Sequence, residues 1–121
     1  PSILIFYFMD ISKANRGDLE LALYKLAQDL NLKIKAHTEA QAKFDFLDDQ
    51  RKILFANIVS RYQGSEAEKT RQALGDSDWD QWNNDVALAK ESLTKAKGER
   101  DAREIKWETC KQIIISRTKN T

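Results

Sequence analysis

The sequence predicts an all-α fold, a long antiparallel helical hairpin with a short connecting helix. First, Pro1 is the only proline and the chain holds just four glycines, and these are the two residue types that interrupt helices. Second, apolar residues recur with heptad a/d spacing in two long stretches, which is the pattern of packed helices. Third, the segment between these stretches is short, so the second helix is expected to return beside the first in the opposite direction.

The first predicted helix covers about residues 18–62. Asp18 or Asn15 is the expected N-cap, because either side chain accepts a hydrogen bond from an amide of the first turn. A kink is expected near Asn31, where apolar residues briefly alternate, and Gly64 stands where a C′ glycine ends a helix. Its expected seam comprises Leu23, Leu26, Leu30, Lys33, His37, Ala40, Phe44, Leu47, Arg51, Leu54, Ile58 and Arg61.

The connecting helix covers about residues 66–74, and the last helix covers about residues 78–117. Ser65 and Glu68 have the spacing of a capping box at the start of the connecting helix. Ser77 is the expected N-cap of the last helix. The expected seam of the last helix comprises Trp79, Trp82, Val86, Ala89, Leu93, Ala96, Arg100, Trp107, Cys110 and Ile114.

Residues 1–8 are apolar, β-branched and aromatic, unlike the rest of the chain. They are too short for the apolar region of a signal peptide and follow no basic segment. We expect native translation to start at Met9, so that residues 1–8 are a non-native extension. The length of 121 residues predicts one helical domain over 1–121.

Setting Tyr62 opposite Asp78 gives a register in which Leu30 faces Cys110 and large residues face small ones. Many apolar side chains lie off this seam and cannot all be covered by one partner helix. They are Leu19, Leu21, Leu32, Ile34, Phe46, Ile53, Phe55, Val59, Ile105, Ile113 and Ile115. We therefore expect a homodimer that forms a helical bundle. A monomeric three-helix bundle with a break near Asn31 is the alternative.

A basic layer interrupts the seam at the middle of the hairpin. Its residues are Lys33, His37, Arg100, Arg103 and Lys106. In one interpretation both arginines reach solvent and pair with acidic neighbours, since an unpaired buried charge costs several kcal/mol. Those neighbours would be Glu39, Asp45, Glu99 or Glu104. In the other interpretation the layer is an anion or nucleic-acid site.

Trp79 and Trp82 open the last helix among several aspartates. Tryptophan is a frequent binding anchor, so this end of the molecule is a candidate partner-docking tip. The alternative is that both indoles plug the end of the bundle against Ile58, Tyr62 and Leu74.

The sequence predicts neither enzyme activity, nor a cofactor, nor a metal site. No glutamate lies three residues before His37, the only histidine, as helical-bundle metal sites require. Cys110 lies on the seam, which favours a packed small side chain over a nucleophile, and a single cysteine fits the reducing cytoplasm. Asp48 is expected to form surface ion pairs with Arg51 and Lys52. No stretch approaches the length of about 20 apolar residues that spans a membrane.

Three segments carry a resemblance to known proteins. They are Phe44 to Lys52, Ser65 to Glu68, and the charged last helix with Trp107 and Glu108. This arrangement resembles small helical proteins encoded by tailed phages and prophages, which often accompany recombination genes. The resemblance implies an accessory role in phage DNA recombination or replication, or inhibition of a host nuclease, in the bacterial cytoplasm. It transfers no site residue.

Three functions therefore stay open at this point. The first is a helical interaction protein that docks on another protein. The second is direct nucleic-acid binding through the basic half of the last helix, although interleaved acidic residues weaken such a stripe. The basic residues of that half are Lys95, Lys97, Arg100, Arg103, Lys106, Lys111, Arg117 and Lys119. The third is a purely structural assembly subunit.

Overall fold

The computed structural model describes residues 15–119, so the prediction for residues 1–8 lies outside the described residues. The described chain is helical and contains no strand. Its elements are α1 (Arg16–Asp49), α2 (Arg51–Val59), α3 (Glu66–Leu74) and α4 (Ser77–Lys119). The predicted all-α fold with a helical hairpin and a short connecting helix is confirmed.

The first predicted helix is two helices, and the break lies at Gln50 instead of near Asn31. Gln50 keeps φ −79° and ψ −9°, and its carbonyl still accepts a hydrogen bond from Leu54 N at 2.9 Å. The predicted kink was wrong because α1 runs through Asn31 with ordinary helical periodicity. The last turn of α1 instead contains Asp48 and no basic residue, a charge pattern that opposes the helix dipole.

Two of the three predicted helix N-caps are observed. The Asn15 side chain accepts a hydrogen bond from Asp18 N at 2.8 Å, so Asn15 is the cap of α1. The Ser65 hydroxyl accepts one from Glu68 N at 3.2 Å, as the capping box predicts. At α4 the cap is Asp76 and not Ser77. A carboxylate there complements the positive end of the helix dipole as well as accepting the amide.

Gly64 does not end a helix, because α2 already ends at Val59. Its φ of +124° places it in the turn that leads into the Ser65 cap. A Cβ atom at this position would overlap the Glu68 carboxylate. The glycine is therefore required by this turn, where an L side chain is strained.

The described residues separate into two compact units. The first unit comprises residues 15–37 and 96–119, and the second comprises residues 38–95. The prediction of a single domain stays a prediction.

The core of the first unit is small and aliphatic. Leu19, Ala22, Leu26 and Cys110 are buried there, and Leu23, Trp107, Ile113 and Ile114 pack against them. Leu19 was predicted to lie off the seam and is fully buried. The reason is that it lies seven residues before Leu26, so the seam extends one heptad further toward the N-terminus.

The core of the second unit is aromatic and draws on three helices. Ile58 of α2, Ala73 of α3, and Trp79 and Trp82 of α4 are buried. Leu54, Phe55, Val59, Tyr62 and Val86 pack against them.

The predicted register is wrong by about one heptad. In the second unit Trp79 contacts Phe55, with ring centroids 4.7 Å apart, where the predicted register places it beside Arg61. In the first unit Cys110 Sγ donates to the carbonyl of Leu19 at 3.6 Å. The predicted register took no account of α3, whose Ala73 is buried in the same cluster as Ile58, Trp79 and Trp82.

Candidate interaction surfaces

Two ion pairs neutralise part of the predicted basic layer, which lies in the first unit. Lys33 Nζ lies 3.3 Å from Glu99 Oε2, and Arg103 Nε lies 2.5 Å from Asp29 Oδ2. Arg103 therefore pairs with an acidic residue, as predicted, but that residue is Asp29, which was not among the predicted partners. The displaced register brings Asp29 there in place of His37.

Arg100 and His37 form the third contact of the layer. Arg100 Nη1 lies 3.1 Å from His37 Nδ1, within hydrogen-bonding distance. Arg100 Nε is buried without a hydrogen-bond partner. Among the described residues no carboxylate pairs with Arg100. The fifth predicted residue, Lys106, is half-buried and has a partner of its own.

Basic and acidic side chains are interleaved along the C-terminal half of α4. Lys95 and Lys97 are exposed, and Lys111 Nζ lies 4.9 Å from the Trp107 ring, a cation–π contact. Acidic residues exposed on the same helix half are Asp101, Glu104 and Glu108. This half of α4 therefore carries charges of both signs and does not form a purely basic stripe.

The candidate docking tip is part of the aromatic core. Trp79 and Trp82 are only 9% and 8% exposed, and their rings stack with centroids 5.0 Å apart. Trp82 Nε1 donates to the carbonyl of Leu47 at 3.0 Å. This burial agrees with the interpretation that the two indoles plug the bundle, and it leaves little indole surface for direct docking.

A groove of about 470 Å³ lies beside this core. It is lined by Arg51, Lys52, Phe55, Thr70, Leu74 and Trp79. We call it the α2–α3 groove. Its walls are mainly apolar, with two cations at the rim, and sequence patterning missed it because it forms only when α3 packs beside α2.

The predicted ion pairs of Asp48 with Arg51 and Lys52 do not form. Among the described residues neither of these cations takes part in an ion pair. The break at Gln50 separates the acidic turn of α1 from the first turn of α2, so the three residues do not share one regular helix. Both cations are exposed beside the groove.

A polar cluster joins the turn after α2 to the start of α4. The Tyr62 hydroxyl donates to Asp76 at 2.5 Å, and Arg61 Nη1 lies 2.5 Å from Asp78. The hydrogen bond from Tyr62, together with the amide of Asp78, lowers the pKa of the Asp76 carboxyl. The same bond to the carboxylate raises the pKa of Tyr62, and the hydrogen bond to Asp78 raises the pKa of Arg61.

Both units expose large apolar side chains. Those of the first unit are Leu21, Tyr24, Leu32, Ile34, Ile105 and Ile115. Those of the second unit are Phe46, Ile53, Leu74 and Leu88. Of the residues predicted to lie off the seam, Phe55, Val59 and Ile113 are half-buried against the cores. The remaining members of that set, apart from Leu19, are exposed as predicted.

Within residues 15–119, no cluster of three or more His, Cys, Asp or Glu side chains has the arrangement of a metal site. Cys110 is buried, and this burial raises the pKa of its thiol. None of the helices described has both the length and the apolar composition to cross a bilayer. Comparison with known proteins finds no matching family model, no matching curated protein and no matching solved structure.

Proposed function

We propose that this chain is a non-enzymatic helical interaction protein that self-associates and docks a partner protein. The observation that carries the proposal is the set of ten large apolar side chains exposed on the described residues of the two units. Covering such side chains with another protein is favourable by about 25 cal/mol for each Å² of apolar surface buried. A homodimer would cover part of this surface, and a partner would cover another part.

The α2–α3 groove is the surface we propose for the partner protein. Phe55, Leu74 and Trp79 offer an apolar wall that would take one large side chain, as interface anchors do. Arg51 and Lys52 at the rim favour carboxylates next to that anchor. The partner is therefore expected to present an apolar side chain flanked by acidic residues.

The biological setting rests on the resemblance to small helical phage proteins. It supports an accessory role in phage DNA recombination or replication, or inhibition of a host nuclease, in the cytoplasm of a bacterial host. The partner would then be a protein of phage or host DNA metabolism.

The test is affinity capture from infected host cells with the full chain as bait. Leu74→Asp places a carboxylate in the groove and should abolish capture of the specific partner. Leu88→Asp is the matched control, because Leu74 and Leu88 are 55% and 62% exposed but only Leu74 lines the groove. Capture that Leu74→Asp leaves unchanged would reject the groove, and a chain that is monomeric and captures nothing would reject the interaction function.

Direct nucleic-acid binding is the second candidate, favoured by one observation. Arg100 is half-buried and forms no ion pair with a carboxylate among the described residues. A phosphate could supply that missing charge. Titration of single- and double-stranded DNA at increasing salt tests this function, since phosphate contacts weaken steeply with salt. No affinity at low salt would remove it, and Arg100→Gln should weaken any binding that is found.

A further inference from the structure

The core of the first unit is buried more deeply than two helices explain. Leu19 and Cys110 have no exposed surface, and Leu26 is only 1% exposed. Among the described residues of this unit, only α1 and α4 contribute to this core. Each helix covers the side of the seam that faces it, but two helices alone do not enclose the seam from its flanks.

Other leucines on the seam of the same two helices show how much α1 and α4 bury between them. Leu30 and Leu47 of α1 and Leu93 of α4 are all half-buried. In the second unit Ile58 is fully buried, and there α3 adds the buried Ala73 to the core. Full burial of a large seam side chain thus accompanies a third segment of chain. The aliphatic core of the first unit therefore requires a third segment as well.

Two residues beside the seam identify the side on which this segment lies. Ala22 follows Leu19 by three positions and is 7% exposed, and Ile113 follows Cys110 by three positions and is half-buried. Because α1 and α4 run in opposite directions, the same three-residue step places Ala22 and Ile113 on one flank of the pair. We call this side the Ala22 flank.

The chain contains one segment whose composition suits this flank. The residues outside the described range are 1–14 and the polar pair Asn120 and Thr121. Two residues span at most about 7 Å, which is too short to return from the end of α4 to Cys110. Residues 3–8 are an uninterrupted apolar and aromatic run without a charge. Packing this run on the flank would remove apolar surface from water on both sides.

The length of chain before α1 permits this placement. The Asn15 side chain caps α1, and an N-cap residue lies outside the helical conformation, so the chain can change direction there. The seven steps from Phe8 to Asn15 span at most about 23 Å when extended. Leu19 lies four residues beyond Asn15, which is about 6 Å along the helix axis. Residues 3–8 can therefore lie beside the first turns of α1.

We propose that residues 3–8 pack on the Ala22 flank of their own chain and form the third layer of the first-unit core. This inference goes beyond the proposed function and does not depend on it. It makes the segment part of the fold instead of a non-native extension, so a chain that starts at Met9 would lack this layer.

The charged residues of the Ala22 flank are compatible with an apolar cover. Lys25 is half-buried, and a lysine stem can lie under such a cover while its ammonium group reaches water. Farther along the flank, Asp29 is paired with Arg103, and Lys106 has a partner of its own.

The thiol of Cys110 reports whether this layer is present, because Cys110 is buried in the core that the layer covers. The rate of its alkylation by iodoacetamide is measured in the full chain, in a chain that starts at Met9 and in Ile5→Asp/Phe6→Asp. Both changes should raise the rate by about tenfold or more, since a buried thiol reacts only when the reagent reaches it. A chain starting at Met9 whose thiol is as protected as in the full chain would overturn the proposal.

Phe46→Asp/Ile53→Asp is the matched control. It replaces the same two residue types with aspartate, but at positions of the second unit that are 62% and 68% exposed. This variant should leave the alkylation rate unchanged, and circular dichroism should show that its helix content is retained. An equal acceleration in the control would mean that added charge admits the reagent, and it would overturn the proposal.

A spin label tests the contact directly in a chain that keeps residues 3–8. Ser2→Cys/Cys110→Ala carries a nitroxide at the start of the segment, and the label should broaden the amide signals of Ala22 and Ile113 in an isotope-labelled chain. Adding Ile5→Asp/Phe6→Asp should weaken this broadening, because the segment is released from the flank. Broadening that this change leaves intact would come from the covalent tether alone and would overturn the proposal. Broadening of an isotope-labelled natural chain by a separate spin-labelled chain would show that the segment comes from a second copy, which overturns packing within one chain.

Discussion

The cores of the two units are built from different kinds of side chain. The first unit has an aliphatic core of Leu19, Leu26 and Cys110, followed by a layer of charged pairs. The second unit is closed by the stacked indoles of Trp79 and Trp82. In the second unit α3 adds a third wall, so large rings are covered on several sides. Among the described residues of the first unit only α1 and α4 meet, and the charged side chains between them are partly buried in pairs such as Arg103 with Asp29.

The largest expected effect lies in the aromatic core. Trp82→Ala removes a buried indole and its hydrogen bond to the Leu47 carbonyl, so the free energy of unfolding should fall by about 3–5 kcal/mol. Urea denaturation followed by circular dichroism measures this change. Trp82→Phe keeps a ring and should cost clearly less. A loss below about 1 kcal/mol for the alanine variant would show that the core is not organised by this residue.

The polar layer of the first unit should respond in two opposite ways. Arg103→Leu leaves the partly buried Asp29 without its partner, so the free energy of unfolding should fall by about 1–3 kcal/mol. Arg100→Leu removes a buried Nε that has no hydrogen-bond partner, so stability should stay the same or rise by about 1 kcal/mol. The same urea titration compares both variants. If both variants lower the free energy of unfolding equally, Arg100 stabilises the layer as much as Arg103 does.

The smallest effect is a difference in pH response between the units. The lowered pKa of Asp76 stabilises the second unit above the ordinary carboxyl value of about 4, and this stability is lost as the pH falls through the lower folded value. The pKa values of Tyr62 and Cys110 are raised on folding, so these two groups make the protein less stable at high pH. Their contributions to the free energy of unfolding are fully present below about pH 10 for Tyr62 and about pH 8.5 for Cys110. Each contribution is lost as the pH rises through the pKa of that group in the folded protein.

Tyr62→Phe tests how much the second unit contributes to the pH dependence of the free energy of unfolding. It removes the tyrosine titration and the strongest hydrogen bond to Asp76, so stability should change less with pH at both the acidic and the alkaline end. The alkaline loss due to Cys110 in the first unit should remain. Urea denaturation of both proteins across the pH range measures the slopes. Identical slopes would show that the Tyr62–Asp76 bond does not couple to folding.

Local chemistry made several features readable from the sequence. The seven-residue spacing identified Leu26, Ile58, Trp82 and Cys110 as seam residues, because a helix places such positions on one side regardless of its neighbours. The Ser65 cap was equally local. Partners across the hairpin could not be read in this way. Contacts such as those of Arg103 depend on the axial position of one helix along the other, which the heptad pattern does not specify. The walls of the α2–α3 groove depend on how α3 packs beside α2.

The sequence alone determined that this protein is helical, where its helices approximately lie and which side of each is apolar. These properties follow from residue spacing and turn residues within a few positions of one another. Only the tertiary structure decided the register, the ion-pair partners and the burial of both indoles. It also shows that Arg51 and Lys52 form no ion pair with any residue that the structure describes. The physical reason is that seams displaced by one heptad satisfy the same periodicity, so the spacing within each helix does not choose between them.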